Sequence, residues 1–196
     1  TLLGQNVNAY RYDSKKLSDL ILEISQIKEL KRIRYTTSHP KDFTKDLIQA
    51  HKDCEKLMPL IHLPIQSGSN KVLANMNRKH TIEEYLEIVE KLKKVKPNIE
   101  LTSDFIIGYP GETQYDFEQT IQLMKKIKFI GSYSFVFSAR PGTPAFNLKK
   151  IDEGLAKERL MTFQNISKNI KTEYRKTLLA KTVPILFENK TKDGNK

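Results

Sequence analysis

Polar residues collect at the ends of the strand-like runs of this sequence, and they are the residues best suited to hold a ligand. The set comprises Gln5, Asn6, Asn8, Ser38, His39, Gln66, Ser67, Ser69, Gly108, Ser138 and Arg140. Its amides and hydroxyls can bind a polar ligand by hydrogen bonds, but the set contains no nucleophile with an adjacent base. Each residue taken singly is explained by a turn or a helix cap. Taken together, they favour a ligand site.

The histidines and the cysteine do not favour a protein-bound metal. The histidines are His39, His51, His62 and His80, and the single cysteine is Cys54. Their spacing does not match that of a zinc site. We therefore predict no metal site in this chain. Cys54 lies on the apolar stripe of a predicted helix, a position that is typical of a small residue in the core.

The run 103–113 joins a strand-like end to a glycine turn, and Thr113 with Asp116 then resembles a capping box for the next helix. The β-branched Ile106 and Ile107 favour an extended, packed strand. Gly108 and Gly111 then allow the backbone to turn and to approach a ligand closely. At the carboxyl end of a parallel strand, such a turn either binds a ligand or is only a tight connection. This stretch alone leaves both interpretations open.

Two charged positions need an explanation from their surroundings. Asp104 interrupts an apolar run, so its carboxylate must be paired or hydrogen-bonded if it is buried, for a functional or a purely structural reason. Arg78 and Lys79 lie in a basic turn before a helix for which Thr81 and Glu84 predict a capping box. This turn is either a phosphate contact or an exposed, solvated loop.

Strand-like runs alternate with helix-like segments along the first three quarters of the chain. The runs cover residues 1–4, 32–37, 60–65, 103–108 and 133–137, and the first helix is predicted over about residues 14–30. Their spacing of roughly 30 to 40 residues is the size of a βα unit. Repeated βα units predict an α/β protein with a parallel sheet, either doubly wound or closed as a barrel. Because a complete eight-stranded barrel needs about 250 residues, we predict a partial (β/α) barrel over residues 1–150.

The last quarter departs from this pattern. One long charged helix is predicted within residues 152–181, and we assign 151–181 as a linker helix region. A new strand is predicted at 182–188, so residues 182–196 would begin a further domain. The chain opens at Thr1 inside a strand-like run and closes soon after this new strand. We therefore expect it to be part of a longer protein.

The chain is strongly basic, with a formal net charge of +11 and a pI of about 9.6. Residues 164–196 carry eight Lys or Arg against three Asp or Glu. This charge favours a polyanion such as RNA as the partner, and a solvated Lys-rich surface is the alternative. No apolar run reaches the roughly 20 residues of a membrane span. A single cysteine fits a reducing compartment, so we predict a cytoplasmic protein that does not bind a membrane.

Six segments, taken in order, resemble the radical S-adenosylmethionine (SAM) methylthiotransferases and cover essentially the whole chain. They are Gly-Gln-Asn-Val-Asn-Ala-Tyr at 4–10, Tyr-Thr-Thr-Ser-His-Pro at 35–40, His-Leu-Pro-Ile-Gln-Ser-Gly-Ser at 62–69, Met-Asn-Arg-Lys-His-Thr at 76–81, the glycine turn at 104–113, and Tyr-Ser-Phe at 133–135 with Arg-Pro-Gly-Thr-Pro-Ala at 140–145. The resemblance implies a partial radical-SAM barrel, a linker helix and the first strand of a small TRAM or OB-like RNA-binding domain.

The resemblance also implies a reaction and its cofactors. The reaction is radical methylthiolation of position 2 of N(6)-dimethylallyladenosine next to the tRNA anticodon, by a monomer with SAM and two [4Fe-4S] clusters. Sister enzymes, which act on threonylcarbamoyladenosine or a ribosomal protein, are less similar around Gln5 and residues 36–40. The CxxxCxxC triplet and the three amino-terminal cysteines of the family are absent, and Cys54 matches none of them. The chain alone is therefore expected to bind no cluster and to be inactive.

Site residues follow from the same resemblance. It implies that Gln5 and Asn6 lie near the methionyl amino group of SAM, that Gln66 and Ser67 face its ribose, and that the 107–108 and 138–140 segments frame its adenine. The predicted cofactor-binding residues are Gln5, Asn6, Ser38, Gln66, Ser67, Asp104, Ile107, Gly108, Ser138 and Arg140. The predicted RNA-binding residues are Arg78, Lys79, Arg140, Arg175 and Lys176. No residue of the chain is predicted to be catalytic.

Two functions of other classes remain as alternatives. The first is a catalytically silent RNA-binding module that uses the basic carboxyl-terminal segment. The second is an unrelated barrel enzyme with a small phosphorylated substrate, whose phosphate would bind at the Gly108 turn.

Overall fold

The computed structural model describes residues 1–36 and 38–186. Its elements in chain order are β1 (Arg11–Tyr12), β2 (Lys15–Lys16), α1 (Leu17–Ser25), α2 (Lys45–Asp53), β3 (Leu60–His62), α3 (Asn70–Asn75), α4 (Ile82–Val95), β4 (Glu100–Ile107), α5 (Gln114–Ile127), β5 (Gly131–Val136) and α6 (Glu153–Lys176), with 3-10 turns at Val7–Ala9, Pro40–Asp42 and Pro144–Asn147. None of the helices in these two stretches is long and apolar enough to cross a membrane.

The central sheet is parallel, and its strands follow one another in sequence order. Strands β3, β4 and β5 pair as neighbours. Two parallel bridges, Leu2 with Tyr35 and Ile33 with Leu57, extend this order to the amino-terminal segments. A doubly wound sheet reverses its strand order at a switch point, whereas this one advances in a single direction. The predicted α/β fold with a parallel sheet is confirmed, and the strand order is that of a partial barrel.

The two faces of β4 have different surroundings. Leu101, Phe105 and Ile107 are buried, and Phe105 packs 4.7 Å from Phe163 of α6 between ring centroids. Thr102, Asp104 and Ile106 point to the opposite face and are only partly buried. Because side chains alternate across a strand, the first set faces the helices and the second faces the interior of the partial barrel. We call this second surface the inner face.

Helix α6 packs on the sheet instead of standing apart from it. Phe163 is fully buried beside Phe105, and Ser132 of β5 shares a 2.7 Å hydrogen bond with Ser167. Near the start of α6, Arg159 forms an ion pair with Glu112, 2.8 Å long, in which the side chains are 6% and 1% exposed. The helix predicted within 152–181 is present, and the domain boundary at residue 150 stays a prediction.

Capping residues begin two of the helices as the sequence predicts. Thr81 and Glu84 form the reciprocal capping box of α4, and Thr113 and Asp116 form that of α5. Burial favours the neutral carboxyl of Asp116, but hydrogen bonds from Thr113, Ser69 and others outweigh it, so the pKa of Asp116 lies below its usual range. These bonds join the start of α5 to the loop after β3.

Several predicted elements differ from those observed. The first helix spans Leu17–Ser25 and not residues 14–30, because residues 11–16 form the β1–β2 hairpin. The predicted strands at 1–4 and 32–37 are reduced to isolated bridges. Residues 182–186 form no strand, so this part of the predicted strand 182–188 is wrong. Thr37 and the rest of that predicted strand lie outside the described residues.

Candidate functional site

A cleft of about 720 Å³ lies at the carboxyl ends of β3, β4 and β5. This volume is within the range of small-molecule sites, roughly 300–1,000 Å³. Its lining combines Gln66, residues 75–78, Ile106, Tyr109, residues 135–138, Arg140 and residues 143–145. The predicted convergence of strand ends therefore produces a cleft, and Gln66, Ser138 and Arg140 of the predicted cofactor set line it.

Gln66 enters the cleft with an unusual backbone conformation. Its φ of +75° lies in the left-handed region that favours glycine. Hydrogen bonds of 2.9 Å from its N–H to the Asp104 carbonyl and from the Ile106 N–H to its own carbonyl hold it beside β4. A non-glycine residue in this region costs about 1 kcal/mol or more, and such strain clusters at functional sites. The amide side chain is thus held in the cleft at a cost in stability.

Arg78 also lines the cleft, which corrects the sequence-based expectation of an exposed turn. The left-handed backbone at Asn77, with φ +56°, turns the chain so that Arg78 is partly buried. One Nη donates to the Pro64 carbonyl at 3.2 Å, and the buried Nε has no partner in the described part of the chain. Burial lowers the pKa of Arg78, and the nearby Asp104 carboxylate opposes this shift.

Asp104 lies on the inner face, close to the cleft. Its Oδ2 is 3.4 Å from His62 Nε2, and His62 Nδ1 shares a 3.0 Å hydrogen bond with Thr102 Oγ1. The Asp104 side chain is 31% exposed. The carboxylate predicted to need a partner therefore has one in the His62 imidazole, and the Arg78 guanidinium is an opposite charge nearby.

Three predicted cofactor residues are packed within the protein. Ser67 is buried and accepts a hydrogen bond from the Ser69 N–H at 3.2 Å, and Ile107 is fully buried in the core. Gly108 has a φ of +75°, and a Cβ at this position would meet Ala156 and Ile151 atoms at 3.0 Å. The close neighbour of Gly108 is thus the start of α6, and the Gly108 backbone N–H donates to Glu112 Oε1. The assignment of Ser67, Ile107 and Gly108 to cofactor binding stays a prediction.

The remaining predicted cofactor residues lie at neighbouring strand ends outside the cleft. Gln5 is exposed, and Asn6 Nδ2 donates to Asp42 Oδ2 at 2.7 Å. Ser38 is 5% exposed, and its hydroxyl has no partner among residues 1–36 and 38–186. These three residues lie at the same carboxyl-terminal end of the sheet as the cleft, but they are not among the described residues that line it.

Two imidazoles lie at the same end of the sheet. The His39 and His80 rings are 5.4 Å apart, edge to face, and His80 is 6% exposed. Burial lowers the pKa of His80 to about 4, with smaller effects from Arg78 and His39. No group of three or more His, Cys, Asp or Glu side chains in the described residues is arranged to hold a metal ion.

Sequence reasoning missed the aromatic wall of the cleft. Tyr109 and Phe137 pack edge to face with centroids 4.9 Å apart, and the Tyr109 hydroxyl donates to the Asn75 carbonyl. Phe135 adds a further ring to the lining. The signal in the sequence was that every second residue from Tyr133 to Phe137 is aromatic, which places all of these rings on one face of a strand.

The predicted RNA-binding residues do not form one surface. Arg78, Lys79 and Arg140 lie at the carboxyl-terminal end of the sheet, and of these Lys79 and Arg140 are exposed. Arg175 and Lys176 lie at the far end of α6, whose first turn packs near Gly108. At 1.5 Å per residue, α6 extends about 33 Å from its first residue to Arg175.

The sequence profile of the radical SAM superfamily matches residues 1–124. The chain belongs to the radical SAM superfamily. Among curated relatives, the tRNA-2-methylthio-N(6)-dimethylallyladenosine synthase of Pelagibacter ubique strain HTCC1062 is 56% identical over 100% of this chain and 45% of its own length. The enzyme of the same name from Wolbachia sp. subsp. Brugia malayi strain TRS is 51% identical over 96% of this chain and 44% of its own length. The chain thus spans less than half of these relatives.

Solved structures agree with this superfamily fold. Coproporphyrinogen III oxidase from Escherichia coli, a radical SAM enzyme, superposes with a TM-score of 0.58 at 14% identity, over 71% of this chain and 32% of its own. Elp3 from Methanocaldococcus infernus superposes with a TM-score of 0.58 at 12% identity, over 90% of this chain and 53% of its own. At these identities the likeness establishes the fold alone.

Membership of the radical SAM superfamily implies SAM and a [4Fe-4S] cluster, and the residues present fit only the first. The cleft has a suitable volume, the amide of Gln66 and an Arg78 Nε that no described residue hydrogen-bonds. A cluster needs several thiolates, whereas Cys54 is the only cysteine and is 3% exposed in the core. The residues of this chain therefore do not fit a cluster.

Proposed function

We propose that this chain is the barrel part of a tRNA methylthiotransferase that modifies position 2 of N(6)-dimethylallyladenosine. The identity of 56% over the whole chain to a relative named for that reaction supports this most strongly. Because the chain spans 45% of that relative, other regions would supply the ligands of two [4Fe-4S] clusters and the rest of an RNA-binding domain that begins near residue 182. The proposed assembly is a monomer with tRNA as its substrate.

Within this proposal the cleft binds SAM. The Arg78 guanidinium pairs with the methionyl carboxylate, since charge-assisted hydrogen bonds to carboxylates are strong. The Gln66 amide hydrogen-bonds the ribose hydroxyls, and the apolar wall at Ile106 and Phe137 accommodates the adenine. When bound, SAM supplies the radical that abstracts hydrogen from the substrate ring.

Asp104 and His62 act as positioning residues in this scheme. The Asp104 carboxylate lies 3.4 Å from the His62 imidazole, and its negative charge favours the charged Arg78 guanidinium at the cleft. For RNA contact the proposal keeps Lys79 and Arg140, which are exposed beside the cleft. Arg175 would reach only a distant part of the same RNA.

A chimeric enzyme tests the proposal directly. This chain replaces its matching segment in the Pelagibacter ubique relative, and the chimera is expressed in bacteria that lack their own methylthiotransferase. We expect mass spectrometry of tRNA nucleosides to detect the 2-methylthio derivative of dimethylallyladenosine. The unaltered relative is the positive control, and an Arg78→Met chimera is expected to lose the product. A soluble chimera that leaves dimethylallyladenosine unmodified, while the relative modifies it, would contradict the proposal.

A further inference from the structure

Two aromatic side chains lie uncovered on the inner face of β5. Tyr133 and Phe135 are 67% and 60% exposed. Their neighbours Ser132 and Ser134 face α6, where Ser132 bonds to Ser167. Since successive side chains point to opposite faces of a strand, both rings face the interior of the partial barrel. Residues two apart on a strand are about 7 Å apart, so the rings form one continuous platform.

The groups around this platform are polar and charged. In the register of β4 and β5, Tyr133 lies opposite Asp104 and Phe135 opposite Ile106. Phe135 lines the cleft together with Gln66, and the exposed Arg140 lies five residues further along the chain. An aliphatic partner that covered the rings would also bury the Asp104 carboxylate among apolar groups, at a substantial cost. A nucleotide meets all of these groups, because its base is flat and polar at the edge and its phosphate is anionic.

We propose that Tyr133 and Phe135 form a stacking platform for the target base of the RNA substrate, with Arg140 contacting a phosphate beside it. Aromatic rings that stack unpaired bases are a common means of RNA recognition. The net charge of +11 favours the same occupant. This inference rests on the proposed function and names how the substrate base is held. Tyr133 lies outside the cleft lining, so SAM bound in the cleft leaves that ring to the base.

The test compares two fluorescein-labelled RNA stem-loops by fluorescence anisotropy. One carries N(6)-dimethylallyladenosine in its loop, and the other has an abasic site at that position. We expect the chain to bind the first RNA at least about fivefold more tightly, which is the lower end of the effect of losing one stacked base. The Tyr133→Leu/Phe135→Leu variant should bind both RNAs equally, at the affinity of the abasic one.

Matched variants make the result specific. Tyr115→Leu removes a ring that is 68% exposed on the outer helix α5, and it should bind both RNAs like the unaltered chain. Tyr133→Phe keeps a stacking ring and should restore discrimination that Tyr133→Leu loses. Circular dichroism checks that each variant is folded, and the single variants serve if the double variant is not.

The outcomes separate this inference from the proposed function. If the double variant still discriminates between the RNAs, the platform does not hold the base, and the inference is overturned while the chimera result stands. The same conclusion holds if the substitutions weaken SAM binding in calorimetry and leave RNA discrimination intact, since the rings then serve the cofactor. If the unaltered chain binds both RNAs equally, the inference also fails, and the chimera alone decides the proposed function.

Discussion

Replacing Arg159 with methionine is expected to lower the free energy of unfolding by about 3 kcal/mol, the lower end of the cost of breaking a buried ion pair. Arg159 Nη1 lies 2.8 Å from Glu112 Oε1, and both side chains are almost fully buried. The same Nη1 also donates to the Glu112 carbonyl at 3.2 Å. Methionine keeps much of the side-chain length but, among the described residues, leaves the carboxylate with only the Gly108 N–H, 3.2 Å away.

The loss should depend on pH in a defined direction. Burial already raises the pKa of Glu112 above its usual 4.5, although the Gly108 N–H and Arg159 oppose this. Without the guanidinium the folded-state pKa rises further, so the folded variant retains a proton that the unfolded chain releases. The stability that the protonated Glu112 carboxyl contributes is fully present below pH 4.5, and it is lost as the pH rises through the folded-state pKa. The deficit of the variant is therefore larger at pH 8 than at pH 5.

Urea unfolding followed by circular dichroism measures this, since the chain has no tryptophan. The matched control is Lys157→Met, which removes an exposed pair with Glu153 on the same helix and should leave the midpoint unchanged. Glu112→Gln combined with Arg159→Met should recover much of the loss, because no unpaired charge stays buried. A deficit below about 1 kcal/mol at pH 8, or an equal deficit at both pH values, would refute the reasoning.

Three further outcomes are expected. Gly68→Ala places a Cβ 2.4 Å from the backbone Cα of Thr120 and should cost several kcal/mol in urea unfolding, whereas Gly111→Ala meets no atom within 4 Å and should cost about 1 kcal/mol for its positive φ. Burial lowers the pKa of His51 to about 3, so near pH 6.5 the unfolded chain binds a proton that the folded chain does not. Between pH 7.5 and pH 5 this difference should lower the free energy of unfolding by about 2 kcal/mol. His51→Gln should remove this pH dependence, and an unchanged pH profile in the variant would disprove the assignment to His51. Gln66→Gly should raise the free energy of unfolding by about 1 kcal/mol, because glycine adopts the left-handed backbone without strain. The same variant should bind SAM more weakly in calorimetry. Tighter SAM binding together with higher stability would contradict a ligand role for Gln66.

The arrangement of strand ends was predictable because it depends on topology and not on side-chain detail. Parallel βα units place every carboxyl end on one side, so Gln66, Ser138 and Arg140 reach one cleft as expected. The caps at Thr81 and Thr113 were predictable for a similar reason, since they depend on residues three positions apart.

Other features depend on contacts distant in the sequence. The burial of Arg78 follows from the left-handed turn at Asn77 and from the carbonyl of Pro64, and a basic tetrapeptide reveals neither. The packing of Gly108 against Ala156 depends on where α6 docks. The sequence suggests that a ligand could approach this glycine, but α6 covers it. The β1–β2 hairpin was missed because two-residue strands carry no detectable alternation.

The ion pair between Glu112 and Arg159 joins residues 47 positions apart, and this separation has a consequence for synthesis. The strands β3 to β5 and the turn at Gly108 leave the ribosome before the helix that closes them. At 5–20 residues per second, about 2 to 9 s pass between the addition of Glu112 and that of Arg159. During this interval the Glu112 carboxylate is accessible to water and the neighbouring turn is uncovered. The nascent barrel therefore stays open at this turn until α6 emerges to complete it, and faster elongation shortens the interval.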